Sequence, residues 1–131
     1  MEKNEYRAAP LPMVNGRFKL TQEELEVVKL EHEGLETLVV GVPGIGVVVL
    51  IPASRGSQRR FMDKTMGSAK TVDKTKRFEA FEELARVSVA WPPIEELEAE
   101  IDAKRKYMAW VDLGGYAAKL AGMNTDELEG N

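Results

Sequence analysis

Glycines come first among the residues that could do chemistry. Gly41, Gly44 and Gly46 punctuate the stretch Gly41-Val42-Pro43-Gly44-Ile45-Gly46, and a glycine-rich loop can cradle phosphate when it opens a helix whose first amides face the anion. Here Val47, Val48 and Val49 follow instead. Neither the spacing of a dinucleotide fingerprint nor a Gly-Lys-Ser/Thr sequence is present, so the stretch reads as the turn of a hairpin. His32 is the single histidine and there is no cysteine, which removes thiolate zinc sites, thiol nucleophiles and disulfides. Glu31-His32-Glu33-Gly34 lacks the second histidine of a metalloprotease helix, and Gly34 breaks the helix that spacing needs. Glu95, Glu96, Glu98 and Asp102 offer carboxylates, but acid–base work needs two that converge from different elements. These alternate with Ile94, Leu97 and Ile101 and form the wet face of one amphipathic helix. Ser54, Ser57, Ser68 and Ser88 belong to no nucleophile motif. The expectation is a chain without catalytic residues, metal or cofactor.

The elements that must position these residues follow from pattern. Leu20-Thr21-Gln22-Glu23-Glu24-Leu25 is a helix start, with Thr21 and Glu24 as a capping box and Leu20 stapled onto Leu25. The helix is expected to run to about His32 with Leu25 and Val28 inward. Leu35 to Val42 and Gly46 to Ile51 are rich in Val, Leu and Ile and predict two strands. Pro43-Gly44 between them predicts the turn, and a loop closed by Gly41 and Gly46 is the other reading. Val47 to Ile51 is apolar throughout, so both faces of that strand need cover. Ser54 caps a predicted helix from Arg55 to about Met66, with Phe61, Met62 and Thr65 on one side and Arg55 and Arg59 on another. Gly67 to Lys74 reads as a loop. A long helix is predicted from Lys76 to Trp91, with Phe78, Phe81, Leu84, Ala85, Val87 and Ser88 in period. Pro92-Pro93 ends it and starts another, with Pro93 in the first turn. The last helical pattern, around Trp110, Leu113, Ala117 and Leu120, is interrupted by Gly114-Gly115. The fold class is α+β, an N-terminal helix and β-hairpin packed with a mainly helical C-terminal half. Residues 1–19 are an extended arm expected to order against a partner, 20–122 one domain, and 123–131 an acidic polar tail.

Length and composition agree with a packed chain of this kind. The 131 residues are 44% hydrophobic and 31% charged, and a chain of that length buries about two-thirds of its unfolded surface. Met1-Glu2-Lys3-Asn4-Glu5 has no basic, apolar leader, and the run from Val39 to Ile51 is too short to span a bilayer, which takes about 20 residues. A reducing, cytoplasmic setting is expected, without membrane. Residues 55–77 hold eight Lys/Arg against two Asp, so this stretch is +6 and the remainder −10 of the net −4. Such a split marks an electrostatic contact surface or a solvated helix. Nucleic acid is not the expected partner, because Phe61 and Phe78 sit at core-like positions and give no stacking platform. Trp91, Trp110 and Tyr116 are candidates for protein contact, since aromatic residues are enriched at interface centres; a place in the core is their alternative.

The order helix, hairpin, Ile51-Pro52-Ala53-Ser54-Arg55 into Arg60-Phe61, then Ala85-Arg86-Val87-Ser88-Val89-Ala90-Trp91-Pro92-Pro93-Ile94-Glu95-Glu96-Leu97, resembles small tail assembly chaperones of long-tailed bacteriophages or prophages. The resemblance covers roughly Thr21 to Gly122. The double proline, Gly56 and the Lys104-Arg105-Lys106 run depart from the pattern. The resemblance implies a non-catalytic protein that coats the tape measure protein, recruits tail tube protein, forms homo-oligomers and leaves before the virion is complete. The partner-binding residues expected from type alone are Arg55, Arg59, Trp91, Trp110 and Tyr116. The other function classes are a head–tail connector or tail-completion protein, and a small nucleic-acid-binding regulator using residues 55–77.

Overall fold

The computed structural model describes residues 11–66 and 74–123. Its elements run α1 (Gln22–Glu31), β1 (Leu38–Val42), β2 (Gly46–Leu50), α2 (Arg55–Met66), α3 (Lys74–Ser88), β3 (Val89–Trp91), α4 (Ile94–Lys104) and α5 (Met108–Leu120). This is the expected α+β arrangement of a helix and hairpin followed by a helical half. Most of the loop expected over Gly67 to Lys74, the first ten residues of the arm and nearly all of the tail lie outside the described residues.

Both bonds of the capping box form: the Thr21 hydroxyl accepts from the Glu24 amide at 3.1 Å, and the Glu24 carboxylate accepts from the Thr21 amide at 2.9 Å. The Pro43-Gly44 turn is closed by the Ile45 amide donating to the Val42 carbonyl at 3.0 Å. β1 and β2 then pair antiparallel, Leu38 with Leu50 through Val42 with Gly46. Alternation sends Val40, Val48 and Leu50 into a core with Ala85, Leu97, Ile101, Trp110 and Leu113. Val47 and Val49 point the other way, onto Leu20, Leu25 and Val28. β2 is therefore buried on both faces, as its unbroken apolar run requires. The sheet is the middle of three layers, with α1 on one side and α3, α4 and α5 on the other, and full burial of each such side chain is worth about 1.5–3 kcal/mol.

Several expectations are corrected. The long helix stops at Ser88, and Val89-Ala90-Trp91 is a third strand that pairs antiparallel with β2, Val49 opposite Trp91 and Leu50 opposite Val89. The edge of β2 offers a ladder, and Trp91, preceding a proline, is steered away from helical angles. Phe78 and Val87 on α3 and Met62 on α2 are about half exposed, while Phe61, Thr65, Phe81, Leu84, Ala85 and Ser88 are buried. Pro93 occupies the cap position ahead of Ile94 rather than the first turn. Gly114-Gly115 does not interrupt α5; a Cβ on Gly114 would lie 2.2 Å from the Phe81 carbonyl oxygen, so this glycine lets α5 press against α3. The arm also reaches less far than residue 19. Phe18 is buried, donates its amide to Ile45 and accepts from the Val47 amide at 2.8 Å, so the domain begins before Leu20.

Candidate partner-binding surface

β1 is an edge strand, with β2 on one side and no other strand beside it among the described residues. Along it runs a cleft of about 430 Å³ whose opposite wall is α5, through Val111, Asp112, Gly115, Tyr116 and Lys119. Gly115 keeps the wall low, since nothing lies within 4 Å of where its Cβ would stand. A second cleft of about 410 Å³ continues round the hairpin tip, sharing Val42, Pro43 and Asp112 and adding Arg105, Lys106, Tyr107 and Met108. Together they form one trough.

The helical period explains what lines it. Trp110, Leu113, Ala117 and Ala118 turn into the core, which leaves Met108, Asp112, Tyr116 and Lys119 as the outward stripe of α5. Tyr107, Met108 and Tyr116 are 54%, 57% and 44% exposed, an apolar surface beside an edge strand. Charge lies in the middle and at both ends: Asp112 lines both clefts, Arg105 and Lys106 stand at the hairpin end and Lys119 at the other. Lys104 ties the hairpin tip to α4, donating to the Gly44 carbonyl at 2.7 Å and pairing with Glu100 at 3.0 Å; at the other end the Lys119 ammonium lies 5.9 Å from the Tyr116 ring centroid. No nucleophile–base pair lines the trough. Among the described residues no group of three or more His, Asp or Glu side chains is placed to hold a metal ion, and no helix is long and apolar enough to cross a membrane. The larger cleft, about 700 Å³ between residues 12–20 and the hairpin, has Lys19 as its one charged lining residue.

The five expected contact residues do not converge. Tyr116 lines the trough. Arg55 and Arg59 are exposed on α2, one turn apart and without an ion pair among the described residues. Trp91 is partly buried and packs edge-on against Phe18 at 6.3 Å, filling the space between arm and core. Trp110 is corrected outright: at 2% exposed it is a core residue. Above its ring the Arg86 guanidinium lies at 4.4 Å, held also by Glu82 and Glu98, each at 2.9 Å. Burial works against the Arg86 charge, but hydrogen bonds and attraction from those two carboxylates prevail and hold its pKa above the ordinary value. This fork binds α3, α4 and α5 together. Sequence reasoning missed Tyr107, Met108 and Pro43. The available signal was that Met108, Val111 and Tyr116 are apolar yet out of phase with the stripe of Trp110, Leu113, Ala117 and Leu120.

Comparison of the chain with protein-family models, with curated proteins and with solved structures returns no match. The likeness to tail assembly chaperones therefore rests on the short segments quoted above.

Proposed function

We propose that the chain is a non-catalytic assembly chaperone of a phage or prophage tail, which takes the apolar stripe of a helical client, the tape measure protein, into the trough between β1 and α5 and recruits tail tube subunits. The observation that carries this reading is the trough itself: Tyr107, Met108 and Tyr116 stand exposed along an edge strand, with Asp112 between them and Arg105, Lys106 and Lys119 toward the ends. A groove of that make-up suits an amphipathic helix, which presents anchors at i, i+3, i+4 and i+7. A long helical client repeats its apolar stripe, so weak single contacts add up to a strong array. Co-expression with the long tape-measure-like protein of its own genome tests this. The client is expected in the soluble fraction, carrying many copies of this chain. A client equally soluble alone rejects the reading, and the chain at a fixed ring number in mature particles would make it a connector.

A further inference from the structure

α5 ends by turning the chain toward α2. Gly122, at φ +85°, donates its amide to the Lys119 carbonyl at 2.9 Å, and the Met123 amide donates to the Ala118 carbonyl at 2.9 Å, the two bonds of a Schellman cap. This turn lays Met123 on the cluster of Ala53, Phe61, Ala80, Phe81 and Leu84 that joins α2 to α3. Phe61, Ala80 and Leu84, with the half-exposed Val87, also line a hollow of about 140 Å³ between those two helices. Three charged side chains stand at it, Arg60, Glu83 and Arg86. Glu83 is held by Lys64 at 2.6 Å, and Arg86 by Glu82 and Glu98 at 2.9 Å each. Arg60 is not held, and neither are Arg55 and Arg59: all three are exposed and make no ion pair among the described residues. Gly56, one turn before Arg59 and Arg60, has nothing within 4 Å of its Cβ position and keeps the surface there low.

The chain itself supplies the matching chemistry. Beyond Met123 it reads Asn124-Thr125-Asp126-Glu127-Leu128-Glu129-Gly130-Asn131, with carboxylates, no cation and a single aliphatic side chain. We infer that this acidic segment docks on α2 of its own chain, Leu128 in the hollow between α2 and α3, and Asp126, Glu127 and Glu129 against Arg55, Arg59 and Arg60. The reach is sufficient: the five residues from Met123 to Leu128 extend about 17 Å, and packed helices lie about 8–10 Å apart. The size fits as well, since a cavity of about 150 Å³ admits benzene and a leucine side chain is smaller. Opposite charges set the register while Leu128 loses water, and the tether lets weak pairs hold because the contact is intramolecular. The basic face of α2 is thereby closed to other anions while the segment is seated. The inference is independent of any client and can be tested on the full chain alone.

Because the chain has no cysteine, Asn131→Cys gives one site for a nitroxide spin label, and the methyl resonances of Ala80, Leu84 and Val87 report its approach. At low salt these signals are expected to lose most of their intensity, and to regain it as salt screens the pairs. Arg59→Glu/Arg60→Glu and Leu128→Ser, each checked for unchanged circular dichroism, are expected to restore the signals at low salt. Adding Glu127→Lys/Glu129→Lys to the arginine reversal is expected to bring the loss back, since the charges are then opposite again. Equal intensities with and without the arginine reversal overturn the inference, as does a double reversal that fails to recover the loss. Equal loss when the label sits on a second, isotopically silent copy mixed with the observed one also overturns it, by placing another molecule's segment in the hollow. So does a short DNA duplex that binds the wild-type chain as tightly as Asp126→Asn/Glu127→Gln/Glu129→Gln, because the face of α2 would then be open.

Discussion

At φ +80° Gly44 holds the angle demanded of the second central residue in a type II turn, and its nearest neighbour is the flexible end of Lys106. Backbone angle rather than space therefore decides what can replace it. Gly44→Val is expected to cost about 1 kcal/mol more than Gly44→Asn in urea denaturation, because Asn tolerates positive φ and a β-branched residue does not. Equal losses would move the strained position elsewhere. The adjacent glycines of α5 test the opposite case. Gly114→Ala is expected to destabilise by about 1–3 kcal/mol, since its methyl meets the Phe81 carbonyl. Gly115→Ala meets nothing and is expected to stabilise by about 0.5–1 kcal/mol, the difference in helix propensity. In the sequence the two glycines looked alike, as a helix break. What separates them is a neighbouring helix some thirty residues away in sequence, which no local pattern contains.

Among the elements, those set by local signals were legible. Thr21 and Glu24 announce the start of α1, Pro43 and Gly44 the turn, Ser54 the start of α2, whose hydroxyl accepts from the Ser57 amide at 3.2 Å. The elements set by distant partners were not. Val89-Ala90-Trp91 continues a helical pattern and becomes a strand because the free edge of β2 pairs with it. Phe78 and Val87 keep helical period but stand at the flanks of α3, where they are only about half covered by the described residues. Trp110 is attractive as a contact residue by type and is instead the floor under Arg86. Arg86→Lys is expected to lower stability by about 1 kcal/mol, because an ammonium cannot pair with Glu82 and Glu98 in the guanidinium's fixed fork and lie flat over the indole as well. A thermal melt indistinguishable from wild type would mean that the three-way contact between α3, α4 and α5 does not hold the helices together.

For the whole molecule, three layers leave a trough between β1 and α5 along which Met108 and Tyr116 stand exposed. The candidate site was only half legible: Tyr116 was identified by type, but the trough exists because Gly115 is bare, β1 is an edge and the hairpin tip folds back onto the turn at Lys104. Those are tertiary facts. If this trough receives the client, Met108→Glu/Tyr116→Glu must bind the tape-measure-like protein more weakly. Both side chains are about half exposed, so the fold is expected to stand while a charge in the trough raises the dissociation constant about tenfold or more. Wild-type affinity in a correctly folded double variant would contradict the account and place the client on another surface.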